Sequence, residues 1–147
     1  MTPQTFTARA TAETETRVNV QLRDFTLTID EPVALGGSDQ GPNPVEFVLA
    51  AVMGCMNVVV HLVAKERGVR IRSLEATARG SLDPARFMGR PTQERTGFTE
   101  IEVGLDIDSD ASSEELEEII RVAEERCPVS DNLSHPTPVR IRLTSGR

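Results

Sequence analysis

Aromatic residues are scarce in this 147-residue chain, with five Phe and no Trp or Tyr, so that they make up only 3% of it. The core must therefore be built from Val, Leu, Ile and Ala. Basic residues are also in the minority, because 16 Lys and Arg against 23 Asp and Glu leave a formal charge of −7. This balance argues against nucleic acid or an anionic membrane as a partner, since both require a basic surface.

Cysteine is nearly absent as well, since Cys55 and Cys127 are the only two in the chain. Two are too few for a secreted disulfide framework or for a cysteine-based zinc site, so we expect no metal. Residues 1–16 are polar and broken up, unlike a secretory leader, which favours a cytoplasmic location. The thiols then have three interpretations: buried apolar residues, a redox pair, or one nucleophile with a bystander.

Alternation of apolar and polar residues predicts several strands. Two such patterns, 18–22 and 25–29, change parity at Arg23 and Asp24, which indicates a turn or bulge between them. Strand patterns return at 69–82, 101–107 and 139–143. Strands in runs with separate helices indicate an α+β fold, and we expect residues 1–147 to form a single domain because no repeat or long linker is present.

The most apolar stretch of the chain, 44–67, contains Cys55. Asn43 is placed to cap a helix that begins at Pro44, and Gly68 is placed to end it. Three polar residues interrupt the stretch: Glu46, Asn57 and His61. They argue against a membrane span. A helix that is apolar on nearly every side needs more cover than one small domain provides, so we expect a partner subunit.

A second helix is predicted after Ser112, which can form a capping box with Glu115. Pro128 ends this helix and opens a short one, so Cys127 lies at the boundary, where the free amides of the next turn favour a thiolate. Cys55 has no such help in the middle of an apolar helix. Because burial raises the pKa of a thiol, a reactive Cys55 requires a nearby cation.

Two motifs, GGSDQGPNPVEFVLAAVMGCM at 36–56 and ERCPVSDNL at 125–133, resemble those of the OsmC/Ohr family. This family comprises osmotically inducible protein C and the organic hydroperoxide resistance proteins. The resemblance covers nearly the whole chain. It implies an OsmC-like α+β fold and an intertwined homodimer, in which antiparallel sheets pack around two central Cys-bearing helices.

The resemblance also implies the chemistry of a thiol-dependent peroxidase for alkyl or fatty-acid hydroperoxides. Cys55 would attack the peroxide O–O bond as a thiolate and become a sulfenic acid, and Cys127 would condense with it to a disulfide. A small or lipoyl-type dithiol would then reduce the disulfide. No resident cofactor is implied.

In the hydroperoxide branch of the family, an Arg holds the thiolate and a Glu ten positions before the Cys holds the Arg. That position is Val45 here, and Glu46 is the nearest carboxylate. In one straight helix Glu46 lies roughly opposite Cys55 and ~13 Å along the axis, so it would act through an Arg on a strand or from the other subunit. Alternatively, it is a first-turn carboxylate favoured by the helix dipole. Arg23 is the preferred candidate for the Arg and Arg17 the alternative, although each is also typical of a surface residue.

Two other functions fit the same residues. The first is a module that binds an apolar ligand and whose cysteines only sense oxidation. The second is a structural dimer with buried, inert thiols. Turnover separates an enzyme from a binding module, because a binding module consumes at most one peroxide per site even with excess dithiol.

Overall fold

The computed structural model describes residues 2–146, in which the strands and helices up to residue 134 follow one another in the predicted order. Strands β1 (Arg9–Ala12), β2 (Val18–Leu22) and β3 (Phe25–Ile29) precede helix α1 (Pro44–Glu66). Strands β4 (Ile71–Ser81) and β5 (Glu100–Ser109) are followed by helices α2 (Ser113–Arg126) and α3 (Pro128–Ser134). Both sets of strands pair antiparallel, and the α+β prediction is confirmed.

The chain divides into two compact units, one up to Ala50 and the other from Ala51 onward, and α1 runs through the division. The first unit holds a three-stranded sheet in the order β1-β2-β3. The second holds the β4-β5 pair, the larger part of α1, and the whole of α2 and α3. That residues 1–147 behave as a single domain stays a prediction.

A two-residue turn joins β2 and β3 where the parity of the pattern changes. Leu22 pairs with Phe25, which leaves Arg23 and Asp24 as the turn. Arg23 has a φ of 54°, a left-handed conformation that costs a residue with a side chain about 1 kcal/mol or more. Its guanidinium carbon lies 5.1 Å from the centre of the Phe25 ring, a cation–π contact that helps to hold this turn.

The loop after β3 is organised around Asp30, a carboxylate with no exposed surface. Its Oδ1 accepts the backbone N–H of Glu31 at 2.8 Å. Its Oδ2 accepts the hydroxyl of Ser38 at 2.7 Å, the backbone N–H of Ser38 at 3.1 Å and that of Gln40 at 3.2 Å. These donors hold the pKa of Asp30 well below its usual range, with the Ser38 hydroxyl as the largest cause.

Helix α1 has a defined cap at each end. Asn43 Oδ1 accepts the Glu46 N–H at 2.9 Å, and Glu46 Oε2 accepts the Asn43 N–H at 2.8 Å, which completes a capping box. At the other end Gly68 has a φ of 74°, and the Val69 N–H donates to the Ala64 carbonyl at 2.9 Å. This is the Schellman arrangement, and it needs a residue that tolerates a left-handed backbone. The predicted start at Pro44 and stop at Gly68 are confirmed.

The core of the second unit is an apolar cluster from α1, α2 and the residue between α2 and α3. Its buried members are Val52, Met56, Val59, Val60, Val63, Ala64, Ile119, Ala123 and Cys127. By length and composition alone α1 could also cross a membrane, a test that core helices of soluble proteins pass as well. One side of α1 lies outside the cluster, where Val58 is 64% exposed and Leu62 45%.

The predicted strand at 139–143 is wrong for the part of the chain that the structure describes. Residues 136–146 form neither a helix nor a strand there. Val139, Ile141 and Leu143 are 81%, 94% and 86% exposed. Their alternation is typical of a strand, but a strand forms only where a sheet edge is available to pair with it, which a local pattern does not report.

Candidate active site

The two cysteines, 72 positions apart in sequence, come together within the second unit. Cys55 lies in the middle of α1, is partly buried and packs against the apolar cluster to which Cys127 belongs. The Cys127 thiol is near enough to raise the pKa of Cys55. Both are free thiols, and Cys127 is only 1% exposed. The pair therefore consists of one partly exposed cysteine and one enclosed cysteine.

Cys127 occupies the junction of two helices, since it is both the C-cap of α2 and the N-cap of α3. Pro128 is the first residue of α3 and has no N–H, so the next free amides are those of Val129 and Ser130. The Ser130 N–H donates to Cys127 Sγ at 3.3 Å. The predicted supply of amides to Cys127 is confirmed for this bond.

An ion pair beside Cys127 fixes the ends of two helices. Arg126 at the end of α2 donates twice to Glu66 at the end of α1, at 2.6 Å and 3.0 Å. The bond from Arg126 lowers the pKa of Glu66. Both side chains are partly exposed, so the ion pair adds little stability. It does mean that the guanidinium of Arg126, the residue before Cys127, is already bound to the Glu66 carboxylate.

Cys55 is not activated within this chain as described. Burial is the largest cause that raises its pKa, and the Cys127 thiol raises it further. The backbone amide of Val129 acts in the opposite direction. Among residues 2–146, no cation contributes to the shift. The reactive form of Cys55 therefore needs a further source of positive charge, as the sequence also indicates.

The two candidate arginines both lie in the first unit, and each has a local partner. Arg17 follows the turn between β1 and β2, where its Nε donates to Glu13 Oε2 at 3.1 Å and its backbone N–H to Thr14 Oγ1 at 2.8 Å. Arg23 lies over Phe25 at the next turn. The role of either in holding a Cys55 thiolate stays a prediction.

Glu46 and Val45 begin α1 in the first unit. Glu46 is exposed, and its carboxylate closes the capping box with Asn43. The interpretation of Glu46 as a first-turn carboxylate therefore has a concrete basis, whereas its action on an arginine stays a prediction. Val45, where the family has its Glu, is 37% exposed.

Sequence reasoning missed three features of the structure. The capping box was readable, because Asn43 and Glu46 have the spacing of an N-cap and its third helical residue. The enclosure of Asp30 was not, since an Asp before a Gly-rich loop is more typical of an exposed turn. The amide of Val129 follows from Pro128 at the start of α3, but its proximity to Cys55 depends on tertiary packing.

A family model described as "OsmC-like protein" matches residues 37–142 of this chain. That range includes both cysteines and all of α1, β4, β5, α2 and α3. A comparison with curated proteins found no match.

Several solved structures share the fold. An OsmC-like protein from Mycoplasma pneumoniae is 22% identical, with a TM-score of 0.78 over 90% of this chain and 89% of that one. An organic hydroperoxide resistance protein from Elizabethkingia anophelis is 25% identical, with a TM-score of 0.66 over 88% of each chain. A putative organic hydroperoxide resistance protein from Vibrio cholerae, with captopril in one of its active sites, is 22% identical, with a TM-score of 0.66 over 90% of this chain and 86% of that one.

Proposed function

This chain belongs to the OsmC-like protein family, and on that premise we propose that it is a thiol peroxidase that reduces organic hydroperoxides through Cys55. The observation that carries the proposal is the pairing of a partly exposed Cys55 with an enclosed Cys127. A peroxide must reach the first sulfur, and only the resulting sulfenic acid must reach the second. The two exposures therefore suit an attacking and a resolving cysteine.

The reaction starts when the Cys55 thiolate attacks one oxygen of the hydroperoxide and the O–O bond breaks. Cys55 becomes a sulfenic acid, and the alkoxide takes a proton from solvent and leaves as the alcohol. Cys127 then attacks the oxidised sulfur, a disulfide forms, and water leaves. An external dithiol, small or lipoyl-type, returns the pair to thiols and is itself oxidised. Two thiols that must be reduced again suit the cytoplasm.

The apolar surroundings of Cys55 support an organic substrate. The cluster that it packs against in the second unit is apolar, which favours an alkyl or fatty-acid hydroperoxide over strongly hydrated hydrogen peroxide. The name of the Elizabethkingia anophelis protein, organic hydroperoxide resistance protein, supports the same substrate class.

The raised pKa of Cys55 favours one second candidate, a module that binds an apolar ligand and only senses oxidation. A thiol that stays protonated reacts slowly with peroxides, because the thiolate is the nucleophile. The two candidates differ in turnover.

We would measure consumption of cumene hydroperoxide and of hydrogen peroxide in the presence of excess dithiol. The wild type should turn over many times and prefer cumene hydroperoxide. Cys55→Ser should abolish turnover, whereas Cys127→Ser should consume about one peroxide per site and stall as a sulfenic acid that dimedone traps. Consumption of one equivalent or less by the wild type would support the binding module. Equal activity of all three proteins would make the thiols bystanders.

We further propose that two copies of the chain form a homodimer. Two segments of the single chain expose large apolar side chains: Val58 and Leu62 in α1, and Val139, Ile141 and Leu143 near the C-terminus. Soluble monomers rarely expose so much contiguous apolar surface. A second copy would cover the open side of α1 and supply a sheet edge for 139–143. Sedimentation should give about 32 kDa, twice the 16.1 kDa chain, at micromolar concentration. A stable monomer would refute this part.

A further inference from the structure

The two sulfurs of the candidate pair differ in their access to solvent. Cys127 is 1% exposed and belongs to the buried cluster with Ile119 and Ala123, which have no exposed surface. Cys55 is partly exposed. A thiolate that cleaves a disulfide must approach one sulfur from the side opposite the other, so access decides which sulfur is attacked. Approach to Cys127 from that side would have to open the buried cluster.

The two sulfurs also differ as leaving groups. Cys127 Sγ already accepts the Ser130 N–H at 3.3 Å, and this donor is in place before any disulfide is cleaved. A hydrogen bond to an ionised acceptor is about twice as strong as one to a neutral acceptor. The Ser130 amide therefore stabilises Cys127 most at the moment when it departs as a thiolate.

We propose, on the basis of the function proposed above, that the external dithiol attacks Sγ of Cys55 and expels Cys127 as a thiolate that the Ser130 amide holds. The first bond formed joins the reductant sulfur to Cys55, and the bond broken is Cys55–Cys127. The second thiolate of the reductant then attacks the reductant sulfur that is bonded to Cys55, which closes the disulfide of the reductant and releases Cys55. Two electrons pass from the dithiol to the protein, and the two thiol protons of the dithiol end on the cysteines.

This order gives each cysteine a distinct place in the second half of the cycle. Cys55, the partly exposed residue, meets both external reactants, the hydroperoxide and the dithiol. Cys127 stays inside the fold throughout and meets only Cys55. The reductant therefore has to fit the approach to Cys55.

The experiment forms the disulfide with diamide, so that it does not depend on reaction with peroxide. The oxidised protein is mixed with 2-mercaptoethanol as a probe and stopped at increasing times with acid and N-ethylmaleimide. Trypsin then places the two cysteines in separate peptides, 24–65 and 127–140. Extrapolated to zero time, the probe should be on Cys55 and the maleimide on Cys127, by at least about tenfold. Preference for Cys127, equal labelling, or no disulfide with diamide would overturn the proposal.

Two variants test the amide of Ser130. Ser130→Ala keeps the N–H and should be reduced at the wild-type rate. Ser130→Pro removes the N–H in the first turn of α3, where Pro is tolerated, and should be reduced about tenfold more slowly, equivalent to about 1.4 kcal/mol. A wild-type rate in Ser130→Pro would refute the role of this amide. If that variant does not fold by circular dichroism, the peptide mapping decides alone. Lack of peroxide turnover with normal mapping would refute the peroxidase and leave this inference standing.

Discussion

Asp30 and Cys55 are two enclosed groups that differ in how the fold treats a negative charge. Asp30 is fully buried, yet its pKa lies well below the usual range, because Glu31, Ser38 and Gln40 donate to it. Cys55 is only partly buried, yet its pKa is raised, with burial as the largest cause. Burial alone therefore does not decide whether a group is charged. The donors and charges around the group also matter.

The location of each group in the chain explains the difference. Asp30 precedes a loop whose backbone amides are not used by a helix or a strand, so they are available to its carboxylate. Cys55 is in the middle of α1, where the backbone amides already bond within the helix. Its donors must come from other elements, and the Val129 amide is one. A mid-helix nucleophile therefore depends on tertiary or quaternary contacts for its activation.

The largest effect on stability is expected from a substitution that removes a carboxylate oxygen of Asp30, the acceptor of the hydrogen bonds in this loop. Asp30→Asn replaces a carboxylate oxygen by an NH₂ group that faces N–H donors in a fully buried site. Breaking a buried hydrogen-bond network is among the most destabilising single changes, so we expect a large fall in melting temperature. Asp39→Asn, the same change at an exposed position of the same loop, is the control and should melt like the wild type.

The acid dependence of stability sharpens this test. The pKa of Asp30 is lower in the folded state than the value of about 3.9 in the unfolded chain. Its contribution is therefore present above about pH 4 and is lost as the pH falls from there toward the folded-state pKa. Asp30→Asn should lose stability less steeply below pH 4 than the wild type. Equal slopes, or equal melting of the Asp30 and Asp39 variants at pH 7, would contradict the assignment.

An intermediate effect is expected for the cation that Cys55 lacks within the described chain. Lowering the pKa of a thiol by two units requires about 2.7 kcal/mol of preferential thiolate stabilisation. A partly buried guanidinium in contact can supply that, whereas an exposed one is screened by water. Arg23→Ala, or Arg17→Ala if Arg17 is the partner, should therefore raise the pKa of Cys55 and slow peroxide reduction without unfolding the protein.

The measurement is the pH profile of iodoacetamide alkylation at Cys55, followed by mass spectrometry because the chain has no Trp. Arg9→Ala, an exposed arginine of β1, is the matched control and should keep the wild-type profile. If the Arg23 and Arg17 variants both keep it as well, an arginine from these turns does not activate Cys55, and the binding module gains support.

The features predicted best from sequence are those that local chemistry decides. Asn43, Pro44 and Gly68 mark the ends of α1 because capping and left-handed backbone are properties of single residues and their near neighbours. The turn at Arg23 and Asp24 follows from a change of parity. The strand at 139–143 failed for the opposite reason, since its pairing partner is not part of its own pattern.

In the candidate site too, features set by local sequence could be predicted and those set by long-range contacts could not. The resemblance supplied Cys55 and Cys127 as a pair, and the structure brings them together. The bond from Ser130 follows from local order around Pro128. The enclosure of Cys127 depends on packing between α1 and α2. The activating cation depends on long-range placement, so neither the spacing of Arg17 nor that of Arg23 could select it.

The smallest effect is expected at Glu46, where two roles can be separated. The capping box uses Oε2, which leaves Oε1 for a guanidinium. Glu46→Gln keeps an acceptor for the Asn43 N–H but removes the charge, whereas Glu46→Ala removes both. Glu46→Ala should therefore cost about 0.3–1.5 kcal/mol of unfolding free energy, while Glu46→Gln should melt close to the wild type. If Glu46 also orients an arginine, Glu46→Gln should raise the pKa of Cys55 by less than the arginine variant does. An alkylation profile in Glu46→Gln identical to the wild type would limit Glu46 to the cap, and the activation of Cys55 would then rest on the arginine alone.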